Sequence, residues 1–147
     1  MSHLMIARSQ ARNPAVLACA LQRMGFSSEQ VSISYDENLI GVTFAGQNIV
    51  DCVVLVKKRE FRGYGDFAAK KAEDGTLELH LDDMDNVGAL KNYSITSGAS
   101  LVPGQKFTER LLQWYAALEA EGAMLQEGLS PEITEETDGQ LRVMASY

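Results

Sequence analysis

Residues 49–58 read IVDCVVLVKK, and this stretch decides the fold. Val50, Cys52, Val54 and Val56 recur with a period of two, which is the side-chain alternation of a β-strand. On the other face, Asp51 and Lys57 flank the apolar Val53 and Leu55. Because both faces are mostly apolar and rich in β-branched residues, the stretch predicts a central strand of a sheet.

The segments on either side of this strand predict antiparallel neighbours. Val31–Tyr35 and Leu39–Phe44 each read as a strand, and the polar residues between them predict a hairpin. Asp66–Ala72 and Thr76–Asp82 are joined across Asp74-Gly75, a dipeptide typical of tight hairpin turns. The centre of the chain therefore predicts an antiparallel sheet.

Two helices are expected outside this region. Asn13 is suited to cap a helix that runs from Pro14 to Met24, and Gly25 ends it. A second, longer helix is predicted from Phe107 to Glu127. Its apolar stripe consists of Phe107, Leu111, Trp114, Tyr115, Leu118 and Leu125. If this stripe is wider than one domain can cover, the surplus would form a partner or self-association face.

The predicted fold class is α+β, a mainly antiparallel sheet covered by two principal helices. Glu132–Thr137 and Gln140–Ala145 predict a final hairpin. Asp83–Lys106 has no clear period and predicts a long irregular loop. At 147 residues, the chain predicts a single domain over residues 1–147.

The charge of the chain excludes some classes of partner. Thirteen Lys and Arg against twenty Asp and Glu give a net charge of −7, which repels nucleic acid and anionic membranes. No apolar run approaches the ~18 residues that cross a bilayer, and the first residues lack a signal-peptide pattern. Cys19 and Cys52 lie in apolar runs without a Cys-x-x-Cys pair, which predicts buried free thiols. We therefore expect a cytoplasmic protein.

A basic segment with aromatic residues is the first candidate site. Residues 57–71 carry six basic and two acidic residues, a local charge of +4 in an acidic chain. Basic groups can bind phosphate while rings stack on a base. The candidate ligand-binding residues are Lys57, Arg59, Phe61, Arg62, Tyr64 and Lys71. The alternative is a solvated strand edge on which lysines prevent edge pairing.

A second candidate site is a group of possible metal ligands at the end of the strand Thr76–Asp82. If its leucines point inward, His80 and Asp82 share the opposite face, and Asp85 follows. One imidazole with carboxylates can hold a divalent cation, although the ligand set fits no established metal motif. The alternative is a solvent-exposed strand face that ends in an acidic turn.

Several short motifs carry a family resemblance. They are Met1-Ser2-His3, Leu17, Leu21, Gly25-Phe26, Gly65-Asp66-Phe67, Asp74-Gly75, Asp82-Asp83-Met84-Asp85, Leu112-Gln113-Trp114-Tyr115-Ala116 and Asp138-Gly139-Gln140-Leu141-Arg142. Their order resembles the Ycf-type family of conserved hypothetical proteins of cyanobacteria, algal plastids, other bacteria and phages. Met84 departs from the aromatic usual in that family's motif, and residues 86–105 form a longer stretch than is typical. The resemblance implies the overall layout, a cytosolic or stromal setting and an AAA+ ATPase as a partner, but no catalytic residue.

Three hypotheses for function follow. The sequence contains no nucleophile elbow, phosphate-binding glycine loop or His-Glu-x-x-His motif, so we expect a non-enzymatic binding or adaptor protein that acts through protein contact or as a homo-oligomer. The first alternative is a protein that binds or sequesters a small anionic, nucleotide-like ligand with the basic segment. The second is a metal-dependent hydrolase that uses His80, Asp82 and Asp85. No cofactor is predicted.

Overall fold

The computed structural model describes residues 4–88 and 104–146, without the side chain of Phe61. The strands are β1 (Leu4–Arg8), β2 (Ser32–Ile33), β3 (Leu39–Val42), β4 (Asn48–Val56), β5 (Phe67–Lys71), β6 (Leu77–Asp82), β7 (Ser130–Glu135) and β8 (Leu141–Ser146). The helices are α1 (Pro14–Arg23), α2 (Lys58–Phe61) and α3 (Phe107–Gln126), and residues 83–88 are also helical.

The strands form two antiparallel sheets. The larger sheet has the order β1-β6-β5-β4-β2, and β3 also pairs with β4. Strands β7 and β8 form a separate two-stranded sheet, which we call the ribbon. The ribbon packs against α3, and α3 packs against α1. The predicted α+β class, an antiparallel sheet with two principal helices, is confirmed.

Helix α1 has the ends that the sequence predicts. The Asn13 Oδ1 atom accepts a hydrogen bond from Ala15 N at 2.9 Å and caps the helix. Gly25 follows with a φ of 111°, and Phe26 N then donates to Leu21 O at 3.2 Å. The buried ring of Phe26 closes this end against the core.

The main core lies between the large sheet and the two principal helices. Its largest fully buried side chains include Leu17, Leu21, Phe26, Val54, Val56, Phe67, Leu77, Leu79, Leu81, Phe107 and Leu111. The rings of Phe67 and Phe107 meet edge to face at 5.5 Å and join β5 to the start of α3. The inward orientation predicted for the three leucines of β6 is confirmed.

The β5–β6 hairpin is confirmed, whereas the hairpin predicted from Val31–Tyr35 and Leu39–Phe44 is wrong. Ser32 pairs with Leu55 in the second half of β4, and Gly41 pairs with Ile49 in the first half. The reason is a bend in β4: Asp51 has a φ of 60°, and the pairing of β4 with β5 changes register just after it. The bend gives each half of β4 a different neighbour.

The same bend brings β3 across the second face of the sheet. An added Cβ at Gly41 would lie 3.2 Å from Leu55 Cδ1 and 3.4 Å from Ala68 Cβ, so the strands approach closely there. A small apolar cluster forms under β3 from Leu39, Ile49, Cys52, Leu55 and Ala68. The strict alternation predicted for residues 49–58 is therefore broken at Asp51.

The two cysteines differ in burial. Both are free thiols, but only Cys52 is buried, so the burial predicted for Cys19 is wrong. Leu17, Ala18, Ala20 and Leu21 occupy the core side of α1, and Cys19 falls on the opposite side of the helical turn. The Cys52 thiol donates a hydrogen bond to Ile49 O at 3.2 Å, and burial raises its pKa.

The segment 83–106, predicted as irregular, starts with helical residues. Asp82 Oδ1 accepts from Met84 N at 2.9 Å and caps this turn. The buried Asn86 then accepts a hydrogen bond through Oδ1 from Thr108 N at 2.9 Å, in the first turn of α3. The irregular structure predicted from residue 83 onward is therefore wrong for residues 83–88. Residues 89–103 lie outside the described part of the chain.

Candidate functional site

Part of the predicted basic site is gathered around the start of α2. Lys57, Lys58 and Arg59 line an open groove of about 450 Å³ together with Val42 and Asp66. The buried Asp66 carboxylate accepts from Lys58 N at 2.7 Å and from Val42 N at 2.8 Å. It also lies 3.5 Å from Lys57 Nζ, so one buried acid fixes the basic groove to β3.

The remaining predicted ligand-binding residues are not gathered in that groove. Lys71 lines a different groove, of about 700 Å³, at the far end of β5. A strand rises ~3.3 Å per residue, so β5 places Lys71 well away from the groove beside Lys57. Arg62 ends α2 with a φ of 55°. Tyr64 is exposed and meets the ring of Phe44 edge to face at 5.6 Å. The side chain of Phe61 lies outside the described atoms.

His80 is buried on the face of β6 opposite the three core leucines. The alternative prediction, a solvent-exposed strand face, is therefore wrong at His80. His80 pairs with Ile6 on one side and Ala68 on the other, and its side chain is 8% exposed. Its Nε2 atom lies 3.6 Å from Glu78 Oε1 and has no hydrogen-bond partner among the described residues. Burial lowers the pKa of His80, Glu78 opposes this effect and Lys70 adds to it. The imidazole is therefore neutral near pH 7.

The carboxylates of Asp82 and Asp85 are occupied by backbone donors. Asp82 Oδ1 accepts a hydrogen bond from Met84 N, as described above. Asp85 Oδ1 accepts a hydrogen bond from Tyr64 N at 2.9 Å. Asp85 Oδ2 accepts from Gly65 N at 3.2 Å, and burial raises the pKa of Asp85. Within residues 4–88 and 104–146, no three His, Cys, Asp or Glu side chains are grouped so as to hold a metal ion. The structure thus does not bring His80, Asp82 and Asp85 together as a ligand set.

The neutral state of His80 predicts acid sensitivity. Its native pKa lies below its ordinary value of 6.5, so the unfolded chain takes up a proton that the native chain does not. The corresponding stability is complete above about pH 6.5 and is lost as the pH falls toward the native pKa. We expect the unfolding free energy, measured by urea titration from pH 7.5 to 5, to decrease toward acid.

His80→Gln should lose that pH dependence, whereas His3→Gln, which removes the other histidine of the chain, should keep it. The raised pKa of Asp85 has the opposite effect on the unfolding free energy, because the native chain binds that proton more tightly than the unfolded chain does. If His80→Gln kept the pH dependence of the wild-type chain, the acid sensitivity would not come from His80.

The second half of α3 extends past the main core. Leu111, Leu118 and Leu125 recur every seven residues along one side of the helix. Leu111 is fully buried, Leu118 is half-buried, and Leu125 is 58% exposed. The last residue of α3 that is buried is Ala117. We call residues 118–146, the second half of α3 with the ribbon, the C-terminal lobe.

The lobe is attached through Arg110, which is buried although it is charged. Its guanidinium donates to Glu135 Oε1 and to the carbonyl of Gly139 in the ribbon turn. The guanidinium carbon also lies 5.8 Å from the centre of the Trp114 ring. On the ribbon, Ile133, Leu141, Val143 and Ala145 are only half-buried. Arg110 therefore fixes a thinly packed two-stranded sheet.

The C-terminal lobe also carries most of the net charge of the chain. Residues 118–146 include seven acidic residues and one basic residue, a charge of −6 out of the total of −7. The rest of the chain is nearly neutral, and the last turn of α3 contains no basic residue. An incompletely covered apolar line therefore lies in a strongly acidic region.

Gly122 provides a local measure of how open this face is. A Cβ added there would meet nothing within 4 Å, and its φ is not in the positive region. Gly122→Ala should therefore raise the unfolding free energy by about 0.5 to 1 kcal/mol through helix propensity.

Gly128 is the matched control, because it has equal space but a φ of 80°. Gly128→Ala should lower the unfolding free energy by about 1 kcal/mol. If the urea midpoint of Gly122→Ala fell as much as that of Gly128→Ala, the space around Gly122 would not be open.

Sequence reasoning found some of these residues and missed others. The residue spacing predicts the stripe that ends at Leu125 and an interaction surface where that stripe exceeds what one domain can cover. The acidic excess of residues 118–146 is present in the sequence, but acidic residues alone predict no binding site. Arg110 was missed, since a lone arginine on a helix carries no sign of burial.

Comparisons with known proteins provide no relatives for the site. No model of a known family matches the chain, and neither the curated proteins nor the solved structures that were searched give a match. No helix in the described residues is both long and apolar enough to span a bilayer.

Proposed function

We propose that the protein is a non-enzymatic binding or adaptor protein that acts through contact with another protein, and that its binding surface is the second half of α3 with the inner face of the ribbon. The observation that carries the proposal is the exposure of the apolar line of α3 beyond Ala117, where Leu118 is half-buried and Leu125 is 58% exposed. Contiguous apolar surface with a polar rim is typical of protein interaction sites.

Two further features support the proposal. The ribbon is a two-stranded sheet paired with no other described strand, and its inner face is half-buried. A bound partner would cover the apolar residues that the single chain leaves in water. The ribbon packs against α3, so both features lie beside the helix that carries the exposed line.

Affinity isolation from the native host tests the proposal. The wild-type chain should recover a protein that Leu125→Ser does not recover, while Met144→Ser, at an almost equal exposure of 57%, should behave like wild type. Met144 belongs to the exposed side of β8, so it removes an apolar group elsewhere in the same lobe. An AAA+ ATPase, the partner implied by the resemblance, is one protein to look for.

Light scattering of the purified chain accompanies this experiment, because self-assembly is the other form of the hypothesis. A dimer that Leu125→Ser dissociates would assign the face to a homo-oligomer. A monomer that recovers the same proteins with and without Leu125 would remove the support for the proposal.

A second candidate function is binding of a small anionic ligand, and the groove at Lys57, Lys58 and Arg59 favours it. Three cations and one carboxylate, Asp66, give this concave surface a net positive lining that can bind a phosphorylated compound. Isothermal titration with ATP and inorganic phosphate should then show binding that Lys58→Ala/Arg59→Ala removes and Lys71→Ala retains. Equal heats for these two variants would count against this groove.

A further inference from the structure

We infer that the α3 line formed by Leu118, Gly122 and Leu125 binds a basic amphipathic helix of a partner protein. The inference rests on the proposed function and specifies the chemistry of the partner.

The shape of the line suits a helix. Leu118 and Leu125 lie seven residues apart, about 10 Å or two helical turns. Gly122 lies between them, and apart from its chain neighbours and its own helix backbone no atom lies within 4 Å of the position that its Cβ would take. A small residue between two larger ones lets a second helix approach closely. An amphipathic helix that covers apolar anchors at this spacing is a common recognition mode.

The acidic residues around Leu118 and Leu125 favour a positively charged partner. At 100° per residue, Glu119 and Glu121 project on opposite sides of the line through Leu118 and Leu125. Glu127 follows at the C-terminal end of α3, where the helix dipole adds a partial negative charge. Lysine and arginine side chains beside the apolar stripe of a partner helix would complement this rim.

The same charges argue against a second copy as the occupant. Each lobe carries −6, so two lobes placed face to face would bring like charges together. Leu118 and Leu125 are both partly exposed, so apolar surface remains on both sides of Gly122 for a partner to cover. A basic amphipathic helix satisfies the apolar and the charged requirement together.

The test uses a designed probe: a peptide of about 18 residues, or five turns, in which Leu and Lys lie on opposite faces of a helix. Fluorescence anisotropy compares it with a scrambled peptide of the same composition. We expect the amphipathic peptide to bind at least about tenfold more tightly. Leu125→Ser should weaken it about tenfold, and Met144→Ser should leave its affinity unchanged.

A second pair of variants tests the rim. Glu119→Gln/Glu121→Gln should weaken binding and reduce its salt dependence, because rim charges act mainly through long-range attraction. Glu29→Gln/Asp36→Asn removes the same formal charge from exposed positions outside the lobe and should change the affinity much less.

Three results would overturn the inference: equal binding of the amphipathic and scrambled peptides, an affinity that Leu125→Ser leaves unchanged, or a dimer that Leu125→Ser dissociates. If affinity isolation still recovers a protein that depends on Leu125, the proposed function stands and only the partner chemistry is wrong. If no protein depends on Leu125 and no dimer forms, the proposed function fails as well.

Discussion

Arg110→Ala is expected to lower the unfolding free energy by about 3 kcal/mol and to release the ribbon from α3. The Arg110 side chain is 5% exposed and binds both Glu135 and the Gly139 carbonyl, so its removal deletes two polar contacts between α3 and the ribbon and leaves the bond from Gln113 Nε2 to the same carbonyl, at 3.2 Å. Glu135 is 33% exposed and can be hydrated afterwards, which keeps the loss at the lower end of the range for a broken buried pair. A two-stranded sheet without support is marginal in water, so the ribbon should lose its protection.

Urea unfolding and amide hydrogen exchange over residues 130–146 measure the two effects. The matched control is Arg142→Ala, which removes an exposed pair in the same ribbon, with 3.0 Å between Arg142 Nε and Glu136 Oε1. Exposed pairs contribute roughly 0 to 1 kcal/mol, so this variant should stay close to wild type. Equal losses for the two arginines would show that Arg110 does not hold the ribbon.

Tyr115→Phe is expected to lower the unfolding free energy by about 2 kcal/mol. The Tyr115 hydroxyl accepts from Arg12 N at 3.0 Å and from Asn13 N at 2.9 Å, and it donates to Glu119 Oε2 at 3.3 Å. One oxygen therefore joins the start of α1 to the middle of α3. Without it, two backbone N–H groups at the start of α1 lose their acceptor.

The control for this prediction is Tyr35→Phe, because Tyr35 is 68% exposed and a surface change of this kind stays within about 0.5 kcal/mol. The urea midpoint should fall for Tyr115→Phe at an unchanged slope. A midpoint equal to that of Tyr35→Phe would mean that the hydroxyl does not join the helices.

Local signals explain the parts of the fold that the sequence predicts well. Asp74-Gly75 provides the positive φ that the β5–β6 turn needs, and Asn13 with Pro14 starts α1, whatever packs around them. The β2–β3 prediction failed for the opposite reason. The bend that separates β2 from β3 depends on a positive φ at Asp51, which tertiary packing imposes and which this residue type only weakly signals.

The candidate sites show the same division. Lys57 and Lys71 are close in the sequence, but an extended strand separates them, and Lys71 enters another groove. The alternation of β6 predicts the correct face for His80, but the burial of His80 depends on neighbouring elements that its own strand does not encode. The exposure of Leu125 likewise depends on where the core ends beside α3, although its stripe was readable from the spacing.

Photo-crosslinking in the native host tests the central claim most directly. A photoreactive phenylalanine analogue placed at Gln126, an exposed position beside Leu125 that leaves Gly122 small, should form an adduct with a different protein. The same group at Met144, on the exposed side of the ribbon, should form that adduct weakly or not at all. The absence of an adduct at Gln126, or an adduct only with a second copy of this chain, would contradict the claim that the second half of α3 binds another protein.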